Sequence, residues 1–328
     1  MIRVSFRWDF LLQQDNFYLK AIQAIVNLKF QSNLPAPRLP RLDMPLVSDY
    51  KSRACQLAIT DNFIYRMEPY MSPQVHFVGA GPGASDLITI RGQRLLHHAD
   101  VVIFAGSLVD RRLVECHATT ARVYDSAGMT FGEVLTVIMD AVASGKQVVR
   151  LHTGDPSIYG AIQEQMEALD RLGVEYAVVP GVTSAFAAAA SLKQELTLPE
   201  VSQTVIFTRM EGRTPVPEAE QLSKIAAIGA TLVIYLSVSM IENVVEQLLL
   251  GAYTPETPAA IVCKASWDDE QILRGNLSGI AAQVRESGID RQALIIVGDV
   301  LAARREGLKA KSMLYDEGFA HGFRGIVT

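Results

Sequence analysis

From residue 75 onward, short apolar runs alternate with longer stretches of helical spacing. The runs near 75–79, 100–104, 121–124, 147–151 and 174–179 predict strands. Strands alternating with helices predict parallel βαβ units, with helices covering both faces of one sheet. Asp86 is the predicted N-cap of a helix through 97. Thr130 is the predicted cap of a helix through 143, with Glu133 three residues on completing a capping box. Pro180-Gly-Val-Thr-Ser-Ala-Phe-Ala-Ala-Ala-Ala opens a helix of small residues, and Leu196-Thr-Leu-Pro199 breaks the pattern. A second set of strands is predicted near 204–208, 231–235, 259–263, 271–274 and 293–297. The runs at 259–263 and 271–274 flank Ser266-Trp-Asp-Asp-Glu, which predicts a hairpin and hence a mixed second sheet. The fold class is therefore α/β. An N-terminal domain with a parallel sheet is expected at 74–195, and a C-terminal domain with a mixed sheet at 196–328.

Residues 1–70 follow a different pattern. Leu11, Tyr18, Ile22 and Ile25 space a short amphipathic helix within 10–29. Leu34-Pro-Ala-Pro-Arg-Leu-Pro and Pro45 then favour an extended linker. This segment holds nine Lys/Arg against six Asp/Glu, whereas the rest holds 21 against 29. It is expected to be a flexible extension or an over-long start, since Met67 and Met71 both lie just before the first strand.

Composition narrows the function classes. Hydrophobic residues are 49% of the 328 and charged residues 20%, the balance of a soluble globular chain. A formal charge of −5 gives no global basic field, so no nucleic-acid partner is expected. No run approaches the ~18 uncharged apolar residues of a membrane span. Cys55, Cys116 and Cys263 form neither a CxxC pair nor a disulfide framework, which fits a reducing cytoplasm. The six histidines show no metal-ligand spacing, and His97-His98 sit where they would favour a helix C-terminus.

The first candidate chemistry lies at Gly79-Ala-Gly-Pro-Gly-Ala84, directly after the first strand. It satisfies G-x-G-x-x-A, a permitted form of the dinucleotide fingerprint. Two features count against that reading. Pro82 removes an amide from the loop that would cradle a pyrophosphate. The second strand ends in Ala105-Gly106-Ser107, without the carboxylate that would hold a ribose. A tight turn with no ligand is the plain alternative. The second candidate, Leu151-His-Thr-Gly-Asp-Pro-Ser-Ile-Tyr-Gly160, follows the fourth strand. It should lie at the carboxyl edge of the parallel sheet, where open α/β sheets bind ligands. Asp155 before Pro156 predicts a turn with a free carboxylate, or else a capped loop starting the next helix.

Val-Gly-Ala-Gly-Pro-Gly, Thr-Gly-Asp-Pro-Ser-Ile-Tyr-Gly and Pro-Gly-Val-Thr-Ser, in this order, resemble the tetrapyrrole methylases over residues 74–325. Finer likeness comes from Phe104-Ala-Gly-Ser-Leu-Val109, Asp125-Ser-Ala-Gly-Met-Thr130, Thr208–Pro217 and Ser312-Met-Leu-Tyr-Asp316. It is to the members that methylate carbon 11 of precorrin-4, or of its cobalt form, during cobalamin synthesis. The resemblance implies S-adenosylmethionine as cofactor, bound in a cleft between the two domains, and a homodimer. It carries the cofactor contacts onto Pro82, Thr153, Gly154, Asp155, Ile158, Thr183, Ser184, Leu236 and Ala265. Relatives that methylate uroporphyrinogen have Gly and Met where this chain has Thr153 and Leu236. They also place a proton-accepting Asp where it has Ala105, so no base is carried over and no catalytic residue is assigned.

Methyl transfer to an electron-rich ring carbon needs alignment and exclusion of water, and neither a metal nor a nucleophilic side chain. An anionic corrinoid precursor does need cations, which Arg supplies bidentately. Arg209 and Arg213 are the first candidates and Arg111 and Arg112 the second, while Arg91 and Arg94 read as solvated helix residues. Glu211 and Asp110 are candidates to accept the proton lost after methylation. Asp155→Arg is expected to abolish cofactor binding by filling the cleft. A tetrapyrrole methylase acting at another ring position, a nicotinamide-dependent oxidoreductase and a non-catalytic module on the same fold are the competing readings.

Overall fold

The structure, a computed structural model, describes residues 73–308 together with 310–315, 319, 320 and 322. They all fall within one unit, Arg66–Thr328. The expected amphipathic helix and proline-rich linker of residues 1–70 lie outside the described residues.

Five parallel strands form the first sheet: β1 (Val75–Gly79), β2 (Val101–Phe104), β3 (Arg122–Asp125), β4 (Val148–His152) and β5 (Tyr176–Val179), in the order β3-β2-β4-β1-β5. The intervening helices are α1 (Ile90–His98), α2 (Arg111–His117), α3 (Phe131–Ala143) and α4 (Gln163–Arg171). Alternation along the strands divides them between two cores. Val78, Val102, Val149 and Leu151 pack under α1 and α2 with Leu95, Leu96, Leu113 and Val114. Phe77, Ile103 and Val148 pack under α3 and α4 with Val134, Ile138 and Leu169. Burial on both faces explains why β2 reads as an unbroken apolar run and why every residue of β1 and β4 is buried, the polar His76, Arg150 and His152 included. The parallel sheet is as the sequence predicts.

The capping box on α3 is also present, with Thr130 Oγ1 accepting from Glu133 N and the Glu133 carboxylate accepting from Thr130 N. Asp86 does not cap α1, which corrects the expectation. It falls within a 3-10 turn, Ser85–Leu87, and Ile88 and Thr89 are extended. Thr89 caps the helix instead, its hydroxyl accepting from Gly92 N at 3.1 Å. Both residues have cap chemistry, and the 3-10 turn moves the helix start to the later one.

The second sheet has the order β6-β7-β10-β8-β9, from β6 (Val205–Arg209), β7 (Thr231–Tyr235), β8 (Pro258–Cys263), β9 (Gln271–Asn276) and β10 (Ala293–Val297). Only β6 and β7 pair in parallel. The β8–β9 hairpin and both edges of β10 are antiparallel, so the sheet is mixed as expected. The helix α5 (Ser184–Leu192) precedes this sheet in the chain and covers one of its faces. Ala185, Ala187, Ala188 and Leu192 meet Val233, Tyr235, Ala260, Val262, Leu294 and Ile296. Its small residues allow close approach, which accounts for the alanine run. The other face packs against α6 (Leu222–Ala226), α7 (Ile241–Leu249) and α8 (Leu277–Ser287).

Candidate active site in the cleft between the sheets

Strand order brings the three sequence motifs together. β4, β1 and β5 are neighbours, so the loops after their carboxyl ends lie side by side. Gly81 N donates to Gly154 O at 3.2 Å and Gly154 N to Gly81 O at 2.8 Å, joining two loops 73 positions apart by an antiparallel bridge. The contact at the third loop is closer still. A Cβ on Gly79 would lie 2.5 Å from Gly181 Cα and 2.6 Å from Gly154 O. A Cβ on Gly181 would lie 2.1 Å from Gly154 O. Glycine is needed at 79 and 181 so that three backbones can touch, whatever is bound above them.

Asp155 fixes this junction. Its Oδ1 accepts from Ser157 N at 2.9 Å and from the Ser157 hydroxyl, and its Oδ2 accepts from Gly181 N at 2.8 Å. The expected free carboxylate is thus corrected: both oxygens are engaged within the protein. Burial pushes the Asp155 pKa up, but the hydrogen bonds from Ser157 and Gly181 outweigh it and hold the group below the usual carboxylate range.

Above the junction is a cleft of about 410 Å³, formed by loops of both sheets. Its size falls in the range of small-molecule sites, roughly 300–1,000 Å³. Pro82, Thr153, Gly154, Asp155, Ile158, Thr183 and Ser184 line it from the first half, and Leu236 and Ala265 from the second. All nine residues read as cofactor contacts therefore meet in one cavity.

Sequence reading missed Tyr159, Tyr235, Lys264 and Trp267, which also line the cleft. Thr183 is at the N-cap position of α5, yet its hydroxyl caps nothing in the helix. It shares a 2.8 Å hydrogen bond with the hydroxyl of Tyr235. The bond ties the start of α5 to the tip of β7. Burial pushes the Tyr235 pKa up. The β8–β9 turn reaches across to the glycine loop. Trp267 Nε1 donates to Pro82 O at 2.9 Å, and Ser266 Oγ accepts from Ala84 N at 3.0 Å. Gln292 Nε2 adds a 2.8 Å bond to Ser107 O. Tryptophan in the predicted turn Ser266-Trp-Asp-Asp-Glu was the available signal for this strap. Tyr235 closes an apolar run and is indistinguishable there from a core residue.

Left-handed backbone marks the same place. Tyr159, Leu236, Lys264 and Gln292 line the cleft with φ of 54°, 54°, 50° and 52°. Non-glycine residues at such angles are uncommon, and they collect at functional sites.

The four arginines read as substrate contacts are not among the cleft-lining residues. Arg111 pairs with Glu115 at 2.9 Å, and Arg112 bridges Asp110 and Asp268 at 2.7 and 2.5 Å. Arg209 donates to three backbone carbonyls, of Met210, Thr214 and Pro215. Arg213 is exposed. Asp110 caps α2 and is held below the usual carboxylate range, chiefly by its hydrogen bond from Arg112. Neither Asp110 nor Glu211 lines the cleft. Among the described residues, no group of three or more His, Cys, Asp or Glu is placed to hold a metal ion, and no helix is long and apolar enough to cross a membrane.

Residues 74–281 match the family model of the tetrapyrrole (corrin/porphyrin) methylases. The cobalt-precorrin-4 C(11)-methyltransferase of Methanocaldococcus jannaschii is 54% identical over 251 residues, 76% of this chain and 96% of that protein. The crystal structure of a cobalamin biosynthetic enzyme, cobalt precorrin-4 methyltransferase CbiF, aligns with a TM-score of 0.68 and 44% identity, over 73% of this chain and 99% of the other. The uroporphyrin-III C-methyl transferase of Thermus thermophilus, complexed with S-adenosyl homocysteine, aligns with a TM-score of 0.59 and 28% identity, over 70% and 99%.

Proposed function

Because the chain belongs to the tetrapyrrole (corrin/porphyrin) methylases, we propose that it methylates carbon 11 of precorrin-4, or of cobalt-precorrin-4, using S-adenosylmethionine. The observation that carries the reading is the meeting of all nine cofactor-contact residues in one cleft. The 54% identity to a relative named for that reaction supports the ring position.

The cleft suits a nucleoside cofactor without a pyrophosphate. α1 starts at Ile90, capped by Thr89, so the glycine loop does not open into a helix N-terminus. Pro82 offers no amide, and its carbonyl is taken by Trp267. What the cleft offers is hydroxyls at Thr183, Ser184 and Tyr235, the first and last bonded to each other, and apolar contact from Ile158, Leu236, Val262 and Leu294, while Lys264 at its wall is paired with Asp269. Pro82, Thr153–Asp155, Thr183 and Ser184 would hold the cofactor from one side, and Leu236 and Ala265 from the other. When bound, S-adenosylmethionine supplies a sulfonium-activated methyl group. The protein's part is alignment and exclusion of water, which for well-oriented reactants is worth on the order of 7–11 kcal/mol. The strap of Ser266 and Trp267 and the Tyr235–Thr183 bond fix both walls against each other, as that task requires.

Isothermal calorimetry with S-adenosylhomocysteine and NAD tests the cofactor. Saturable binding of the first and none of the second is expected. Binding of NAD alone would return the glycine loop to the oxidoreductase reading.

A further inference from the structure

Two tyrosines of the cleft play different parts. Tyr235 is 8% exposed and bonded through its hydroxyl, so it is wall. Tyr159 leans on it, with ring centroids 5.4 Å apart and the planes tilted at 57°. Yet Tyr159 is 47% exposed, so one side of its ring is open at the edge of the cleft.

Holding the ring there is costly. Tyr159 and Ala161 have φ of 54° and 48°, on either side of Gly160. The left-handed conformation is unfavourable for an L-residue, and glycine would adopt it freely. Several contacts enforce the conformation. The Asp155 carboxylate anchors the start of the loop. Ile158 N donates to Asp155 O at 3.3 Å within the loop. A Cβ on Gly160 would lie 2.1 Å from Pro156 O, so the loop closes on itself there. Strain maintained by so many contacts, at a residue with a half-open aromatic ring, points to a use for that ring.

The surroundings define what would fit. Arg209 ends β6 and is the register partner of Tyr235 on β7, the ring on which Tyr159 leans. Arg209 donates only to backbone carbonyls, and forms no ion pair among the described residues. An open ring face, with a cation that has no carboxylate partner one strand away from the ring it leans on, matches a conjugated system that carries carboxylates.

We propose that Tyr159 is a positioning residue for the acceptor: its open face stacks on the conjugated part of the macrocycle, and Arg209 takes a peripheral carboxylate. This rests on the reading of the acceptor as a tetrapyrrole. Tyr159→Asn keeps a residue tolerant of positive φ and removes the ring. Tyr159→Phe keeps the ring and removes the hydroxyl.

The test uses the full chain and uroporphyrin III, a stable, flat polycarboxylate, titrated by its absorbance. S-adenosylhomocysteine affinity is measured in parallel. Tyr159→Asn should weaken uroporphyrin binding about five- to tenfold, the scale of one stacking contact. Tyr159→Phe should stay within about twofold of the parent, and both variants should bind S-adenosylhomocysteine as the parent does. The proposal is overturned if the parent fails to bind uroporphyrin or if Tyr159→Asn binds it equally well. It is also overturned if Tyr159→Phe loses as much as Tyr159→Asn, or if cofactor affinity falls in step. Failure of the parent to methylate precorrin-4, with uroporphyrin affinity still dependent on the ring, would sink the assigned reaction and leave this role standing.

Discussion

His152 shows how a single buried side chain sets a pH limit. It ends β4, is 7% exposed, and its Nε2 has no hydrogen-bond partner. Burial, reinforced by the charge of Arg150 on the same strand, pushes its pKa down from 6.5 to about 3. The unfolded chain takes up a proton below about pH 6.5, while the folded chain refuses it until about pH 3. Stability therefore falls as pH drops through that window. Asp155, with its folded pKa depressed from 3.8, adds a loss only below that value. At pH 5 the histidine acts alone of the two. The thermal midpoint of the parent should fall between pH 7 and pH 5, and that of His152→Asn should fall markedly less. Equal falls would remove His152 as the cause. The engagement of Asp155 also changes what Asp155→Arg would do: it breaks the junction of the loops as well as crowding the cleft. Proline after aspartate spoke for a turn, but the receiving amide, Gly181 N, lies 26 positions away, beyond any local pattern.

At the level of elements, the glycines of the three loops explain each other only once β4, β1 and β5 are adjacent. In sequence, Gly79 belongs to a flawed phosphate fingerprint; in the fold, it is where three backbones converge. The flaw at Pro82 was legible. The reason for the glycine was not, because it depends on strand order. Gly181→Ala would place a methyl 2.1 Å from Gly154 O and 2.8 Å from Gly79 Cα, both backbone atoms. We expect destabilisation of about 1–3 kcal/mol and loss of S-adenosylhomocysteine binding. Gly132→Ala is the control. It lies in α3 with nothing within 4 Å of the added Cβ, and should be neutral or stabilising. Denaturant titration of both variants decides the point: equal stabilities would mean the junction tolerates a side chain. α5 teaches the same lesson differently. Its alanines announced close packing, but not that the helix lies on the second sheet.

The described residues form two sheets whose facing loops enclose a cleft, tied across by Tyr235 to Thr183, Trp267 to Pro82 and Gln292 to Ser107. The parallel sheet and the mixed sheet were readable from the sequence, because their strands lie in apolar runs; the nine residues that the family resemblance marked were found lining one cleft. The cross-cleft ties were not, since their partners stand 52 to 185 positions apart. The acids that answer Arg111 and Arg112 were partly legible, Glu115 at i+4 and Asp110 at i−2, whereas Asp268 stands 156 positions away. A cleft that aligns one methyl group with one ring carbon should give a single product. The protein should be incubated with S-adenosylmethionine carrying a ¹³C-methyl group, and with precorrin-4 or cobalt-precorrin-4, and the product read by NMR. A single new methyl resonance, coupled to carbon 11, is predicted. Label at another ring carbon, or on uroporphyrinogen alone, would mean that the cleft aligns a different acceptor.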